Sequence, residues 1–187
     1  MNVLKMFLDC EALLEGHFLL SSGLHSNRYL QCAKVLQYPE KATALGNALA
    51  EKVKALKIET VVGPAMGGII IAHEVGRALN AKVLFAERVQ GEIQLRRGFE
   101  VKPNERILVV EDVVTTGGSA KETGELMTKL GANVVGYASI IDRSGGQKIF
   151  DKPYMALETL TVETFEKENC PLCAAGTQAI KPGSKNN

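Results

Sequence analysis

The chain is short of net charge, of cysteine and of long apolar runs, and each shortage excludes a class of function. Its 22 basic and 21 acidic residues leave a formal net charge of +1 at pH 7. A broad electrostatic footprint for nucleic acid or an anionic membrane is therefore not expected, although local anion sites are compatible with that balance. The longest nearly apolar run, Val61 to Ala72, is too short and too glycine-rich to span a bilayer. Asp9, Glu11 and Glu15 fall where a secretory signal would need an unbroken apolar core, so no signal is expected. Four cysteines, in a chain of this length without an export signal, do not make a disulfide framework. Reduced thiols and a cytoplasmic location are the expectation. Cys170-Pro171-Leu172-Cys173 is a lone CxxC, and a structural zinc would need two further ligands. Cys10, Cys32, His17, His25 and His73 show no paired spacing with it, so an ordinary turn or a weak redox pair is expected.

What is present is an ordinary globular composition, 45% hydrophobic and 23% charged over 187 residues, which fits one domain with a sizeable core. Val3, Leu4, Phe7, Leu8, Leu13 and Leu14 approximate a helical stripe, and residues 16–32 alternate around a turn as a short hairpin or cap would. Ala42, Leu45, Ala48, Leu49, Val53 and Leu56 share one helical face. From there the pattern alternates: strand 60–63, helix 68–79, strands 82–86 and 106–111, helix 119–130, strand 133–142. An edge strand is expected near Met155 to Val162, and the tail from Lys181 is expected to be mobile. This alternation predicts an α/β fold, a parallel sheet with helices on both faces and ligands at the carboxyl ends of its strands.

Residues 107–119, Ile-Leu-Val-Val-Glu-Asp-Val-Val-Thr-Thr-Gly-Gly-Ser, carry the most chemistry. An apolar strand ends in Glu111 and Asp112, then a small-residue turn leads into a helix. Unpaired N–H groups at a helix start converge where the helix dipole is positive, so phosphate is the expected guest of the turn, and a polar loop of a generic α/β domain is the plainer alternative. The missing Gly-Lys-Ser/Thr ending separates it from a P-loop. Two acids beside a phosphate suit a sugar with vicinal hydroxyls and a terminal phosphate. A second strand-to-helix loop, Gly63-Pro64-Ala65-Met66-Gly67-Gly68, can also approach an anion closely. The polar stretch 87–98 carries Arg88, Arg96 and Arg97, whose guanidinium groups suit a diphosphate; a solvated hairpin is the plainer alternative.

The 107–119 segment resembles the 5-phosphoribosyl 1-diphosphate (PRPP) motif of type I phosphoribosyltransferases. Residues 18–29, Phe-Leu-Leu-Ser-Ser-Gly-Leu-His-Ser-Asn-Arg-Tyr, and Asp142-Arg143 are similar to segments of the orotate branch. The resemblance covers roughly residues 1–165. It implies a type I fold, a central parallel sheet flanked by helices, in one domain over 1–187 with an N-terminal hood over 1–38 and a tail over 170–187. It implies transfer of the phosphoribosyl group of PRPP to orotate, giving orotidine 5′-phosphate and pyrophosphate in pyrimidine biosynthesis. PRPP would be held by Glu111, Asp112, Val113, Val114, Thr115, Thr116, Gly117, Gly118 and Ser119, and orotate by Thr115 and Arg143. Arg88 and Asp112 would be catalytic, and Mg²⁺ would bridge the diphosphate and ribose hydroxyls, held largely by substrate oxygens with no side-chain metal ligand expected. A homodimer is implied, with no nucleic acid or membrane partner. The chain departs from many orotate enzymes where Ser21 and Met66 stand in place of lysines, and where the 87–98 loop has neither lysine nor histidine. A purine phosphoribosyltransferase and a PRPP-sensing regulator are the competing readings.

Overall fold

The computed structural model describes residues 1–20 and 22–182; Ser21 and residues 183–187 of the expected mobile tail lie outside that description. The chain forms two compact units, one of residues 1–35 with 161–187 and one of residues 36–160. Among the described residues no helix is long and apolar enough to cross a membrane.

In the first unit, α1 (Val3–Asp9) starts where the Asn2 side chain accepts a hydrogen bond from the Lys5 amide at 2.9 Å. It ends earlier than the apolar stripe predicts, because Glu11 takes a positive φ of 51° and Leu13 and Leu14 pass into a strand. That strand, β1 (Leu13–Leu19), pairs antiparallel with β2 (His25–Leu30), as the alternation over 16–32 predicts. The chain passes through α2 (Ala33–Leu36) into the second unit.

There α3 (Pro39–Val53) carries a proline in its first turn and buries Ala42, Leu45, Leu49 and Val53. Then come β3 (Thr60–Pro64), α4 (Gly67–Leu79), β4 (Lys82–Val89), β5 (Glu92–Gln94), β6 (Arg106–Val114), α5 (Gly118–Lys129), β7 (Asn133–Asp142) and β8 (Tyr154–Thr159). The six strands form one sheet in the order β5-β4-β3-β6-β7-β8, parallel except for β5. Val61, Val62, Ile107 to Val110, Ile140 and Ile141 are fully buried, the unbroken apolar runs that a parallel sheet covered on both faces requires. At the opposite end from the site, buried Glu105 accepts from Thr60 Oγ1 at 2.5 Å and Lys82 Nζ at 2.7 Å, tying together the starts of β3, β4 and β6. Burial raises this carboxyl, but the bonds from Lys82, Thr60 and the Lys102 amide outweigh it and hold its pKa down to about 2.

The sheet also differs from the sequence expectation. The strand expected over 82–86 continues to Val89 and turns back as β5, with Glu87 opposite Gln94 and Val89 opposite Glu92. Gln90 and Gly91 both have positive φ, 51° and 91°, the two-residue turn that matches strand twist. The stretch 87–98 is thus in large part a hairpin. Strand β6 also runs on past the acids to Val114, because β7 pairs with it as far as Asp142.

The last pieces return to the first unit: β9 (Thr164–Phe165) adds to β2, and α6 (Pro171–Ala174) follows a single 3₁₀ turn.

Candidate active site

The order of the sheet places a site. From β3 the chain goes through α4 to β4 on one side, and later enters β6 on the other. The carboxyl ends of β3 and β6 therefore flank a switch point, where connections diverge and leave a crevice.

The loop after β3 enters this crevice. Its Ala65 amide donates to the Ala86 carbonyl at 2.7 Å, the Ala65–Met66 peptide is cis, and Met66 is 84% exposed. A Cβ at Gly67 would lie 2.7 Å from both carboxylate oxygens of Asp112, and one at Gly68 would lie 2.8 Å from the Val110 carbonyl oxygen and 3.1 Å from Glu111 Oε1. Only glycine lets the start of α4 come this close to the acids.

Glu111 and Asp112 are half-buried. The Val113 amide donates to Asp112 Oδ1 at 2.8 Å, and the Asp112 amide to Glu111 Oε1 at 3.3 Å. Burial, and then the Asp112 charge beside it, push the Glu111 pKa up to about 8. Burial also raises Asp112. A cation or hydroxyl donors beside the pair would favour its ionised form.

Beyond the acids, Gly117 has a φ of 74°, and a Cβ there would lie 2.5 Å from Ile149 Cγ2. The turn thus requires glycine at this point. Thr115, Thr116, Gly118 and Ser119 are exposed around it, and α5 starts without a side-chain cap, which leaves the first N–H groups of the helix without a capping side chain and suits an anion.

The structure brings Arg143 to the same place: its amide donates to the Val114 carbonyl at 2.8 Å, which sets it beside the start of the turn. Arg88 is elsewhere engaged. Its guanidinium pairs with Glu122 of α5 and with the Gly91 carbonyl. Arg97 bonds Glu87 at 3.1 Å and lies over the Phe85 ring, while Arg96 is exposed. Sequence reasoning missed Glu122 as the partner of Arg88, since the two are 34 residues apart and no spacing along the chain signals the pair. A groove of about 1090 Å³ is bounded by Arg88, Glu122, Tyr137, Ile149 and Phe150 and includes none of residues 111–119. It is distinct from the crevice.

Comparison with known proteins agrees with this geometry. Residues 33–172 match the phosphoribosyl transferase domain family. The chain is 54% identical over 187 residues to an orotate phosphoribosyltransferase of Carboxydothermus hydrogenoformans, covering 99% of this chain and 98% of that one. It is 55% identical over 174 residues to the orotate phosphoribosyltransferase of Thermotoga maritima, covering 93% of each. In fold it is similar to the crystal structure of orotate phosphoribosyltransferase from Aeropyrum pernix, with a TM-score of 0.67 and 23% identity over 84% of this chain and 94% of that one.

Proposed function

Since the chain belongs to the orotate phosphoribosyltransferase family, we propose that its crevice transfers the phosphoribosyl group of PRPP to orotate, in pyrimidine biosynthesis. The observation that carries this reading is the pair of half-buried acids at the switch point, with a glycine-made helix start against it on one side and a second helix start beyond it on the other.

Each part has a chemical role. Glu111 and Asp112 accept hydrogen bonds from the ribose 2′- and 3′-hydroxyls, and the turn from Thr115 to Ser119, entered through Val113 and Val114, holds the 5′-phosphate. Gly67 and Gly68 admit the diphosphate to the start of α4. Thr115 and Arg143 receive orotate, whose carboxylate suits a guanidinium. The new C1–N bond forms as the C1–O bond to diphosphate breaks, and the diphosphate leaves with the electron pair. Positive charge develops on the ribose, so catalysis is positioning and charge neutralisation with no side-chain nucleophile.

The donor set fits Mg²⁺, since two close carboxylates whose shared ionisation is disfavoured gain from a cation. When bound, the ion would neutralise charge on the leaving diphosphate. Arg88 can assist there once it leaves Glu122. Their side chains are 42% and 45% exposed, so breaking the pair costs about 0–1 kcal/mol. The same reading includes a homodimer, and a cytoplasmic setting supported by four free thiols.

Two results test these roles. Because binding favours the ionised acids and Glu111 ionises near pH 8, the KM for PRPP should fall as pH rises from about 6 to about 8 and then level off. A flat profile would contradict the pairing of the acids with the sugar. Arg143→Ala should raise the KM for orotate by about tenfold or more while leaving the KM for PRPP within about twofold; equal changes in both would remove Arg143 from the base site.

A further inference from the structure

The CxxC segment is not alone in space. Cys170 and Cys173 sit at and within α6, and His17 of β1 and His25 of β2 point at them. Their ligand atoms all lie within 4.8 Å of one another. His17 Nε2 is 3.5 Å from Cys170 Sγ and 3.8 Å from Cys173 Sγ, and His25 Nδ1 is 3.3 Å from Cys173 Sγ. A tetrahedral zinc, with bonds of about 2.3 Å to sulfur and about 2.0–2.1 Å to nitrogen, spaces its N···S edges about 3.5–3.6 Å apart. The three N···S distances bracket that value. The two nitrogens, at 2.8 Å, are closer than the roughly 3.3–3.4 Å of a tetrahedral N···N edge, so binding would part the rings by about half an ångström.

The surroundings prepare the ligands. His17 Nδ1 faces the Thr177 carbonyl at 3.1 Å and Thr177 Oγ1 at 2.9 Å. A carbonyl only accepts, so the Nδ1 of His17 carries the proton and Nε2 presents its lone pair to the cluster. A backbone carbonyl behind a ligating imidazole is the usual support that fixes its orientation at a metal. His17, His25 and Cys170 are buried at 6%, 5% and 3% exposure, and Cys173 is half-buried. Two imidazoles and two thiols form a soft, borderline donor set that suits zinc and leaves no position open, which marks a structural rather than a catalytic centre.

We propose that His17, His25, Cys170 and Cys173 bind one zinc ion, which fastens the β1–β2 hairpin to the C-terminal segment of the same unit. The need is visible in the fold. His17 and Cys170 are 153 residues apart in sequence, and among its described residues the C-terminal segment contributes a two-residue strand, one 3₁₀ turn, a four-residue helix and a single bridge from Ile180 to Phe18. So little secondary structure has small capacity to hold itself, and a metal cross-link supplies what the local core does not. This inference is independent of the phosphoribosyl chemistry, since the four ligands take no part in it.

The full-length reduced chain, stripped by a chelator and titrated with Co²⁺, tests it. About one equivalent should bind, with tetrahedral d–d bands and thiolate-to-cobalt charge transfer, and Zn²⁺ should displace it. Cys173→Ser should lose the charge-transfer intensity in large part, while Cys10→Ser should keep it. In the unmodified chain, which needs no variant to fold, zinc should slow alkylation of Cys170 and Cys173 by about tenfold or more, as scored by peptide mass spectrometry. Binding well below one equivalent, octahedral spectra, or alkylation rates indifferent to zinc would overturn the proposal.

Discussion

Asp112→Asn should lower kcat/KM for PRPP by about 10²–10³-fold and leave the fold as stable as before, or more so. The amide keeps the shape of the carboxylate and can still accept the Val113 N–H, so local backbone geometry survives. What it loses is one negative charge and one oxygen acceptor at the proposed position of the ribose hydroxyls. What it relieves is the repulsion that, after burial, drives the Glu111 pKa to about 8. With Asp112 neutral, Glu111 should ionise at lower pH, and the pH dependence of PRPP binding should shift down with it. The sign on stability follows. A carboxyl whose folded pKa lies above its unfolded value contributes most below the unfolded value, near 4.5, and loses that contribution as pH rises towards 8. Lowering the folded pKa narrows this loss, so the variant's melting temperature at pH 8 should equal or exceed that of the parent. Steady-state kinetics and thermal melts at pH 5 and pH 8 check both halves. Unchanged kinetics would remove Asp112 from the catalytic machinery.

The second large effect is expected from a single methyl group. Gly67→Ala puts a Cβ 2.7 Å from both Asp112 carboxylate oxygens, closer than side-chain carbons approach such atoms. Either the start of α4 recedes or Asp112 turns away from the crevice. A displacement of about 1 Å at a reacting centre costs about 10²-fold, so kcat/KM should fall by that order. Alanine is the better helix former by about 0.5–1 kcal/mol, so the loss should not come from a weakened helix. Met66→Ala is the control: this side chain is 84% exposed, and its truncation should change kcat/KM by less than about threefold. Matching losses in the two variants would mean that general disruption of the loop, and not the Gly67–Asp112 approach, governs the rate.

The alternation of strands and helices was legible because a parallel sheet buried on both faces leaves continuous apolar runs, as in Val61-Val62 and Ile107 to Val110, bounded by glycine turns. The same logic located the two helix starts, and β7 ends at Asp142 as its pattern predicts. Other features depend on partners remote in sequence. That Glu111 and Asp112 lie inside a strand is decided by β7 continuing beside them. The β4–β5 hairpin turns on Gln90 adopting positive φ, for which Gln-Gly is a weaker cue than Asn-Gly. The End of α1 rests on the positive φ of Glu11, which carries no sequence signature. His17 and His25 match no metal-ligand spacing along the chain. The hairpin register, with Leu19 opposite His25, makes them diagonal neighbours on one face, and the fold then brings the CxxC to them.

The most direct measurement follows the loss of orotate absorbance when the purified protein is mixed with PRPP and Mg²⁺, with adenine, hypoxanthine and uracil as parallel bases. Orotate should be consumed with one pyrophosphate released per orotate, and with a preference of about 10²-fold or more over the other bases. Turnover of a purine in its place, or PRPP binding without turnover of any base, would contradict the assignment of this crevice to orotate phosphoribosyl transfer.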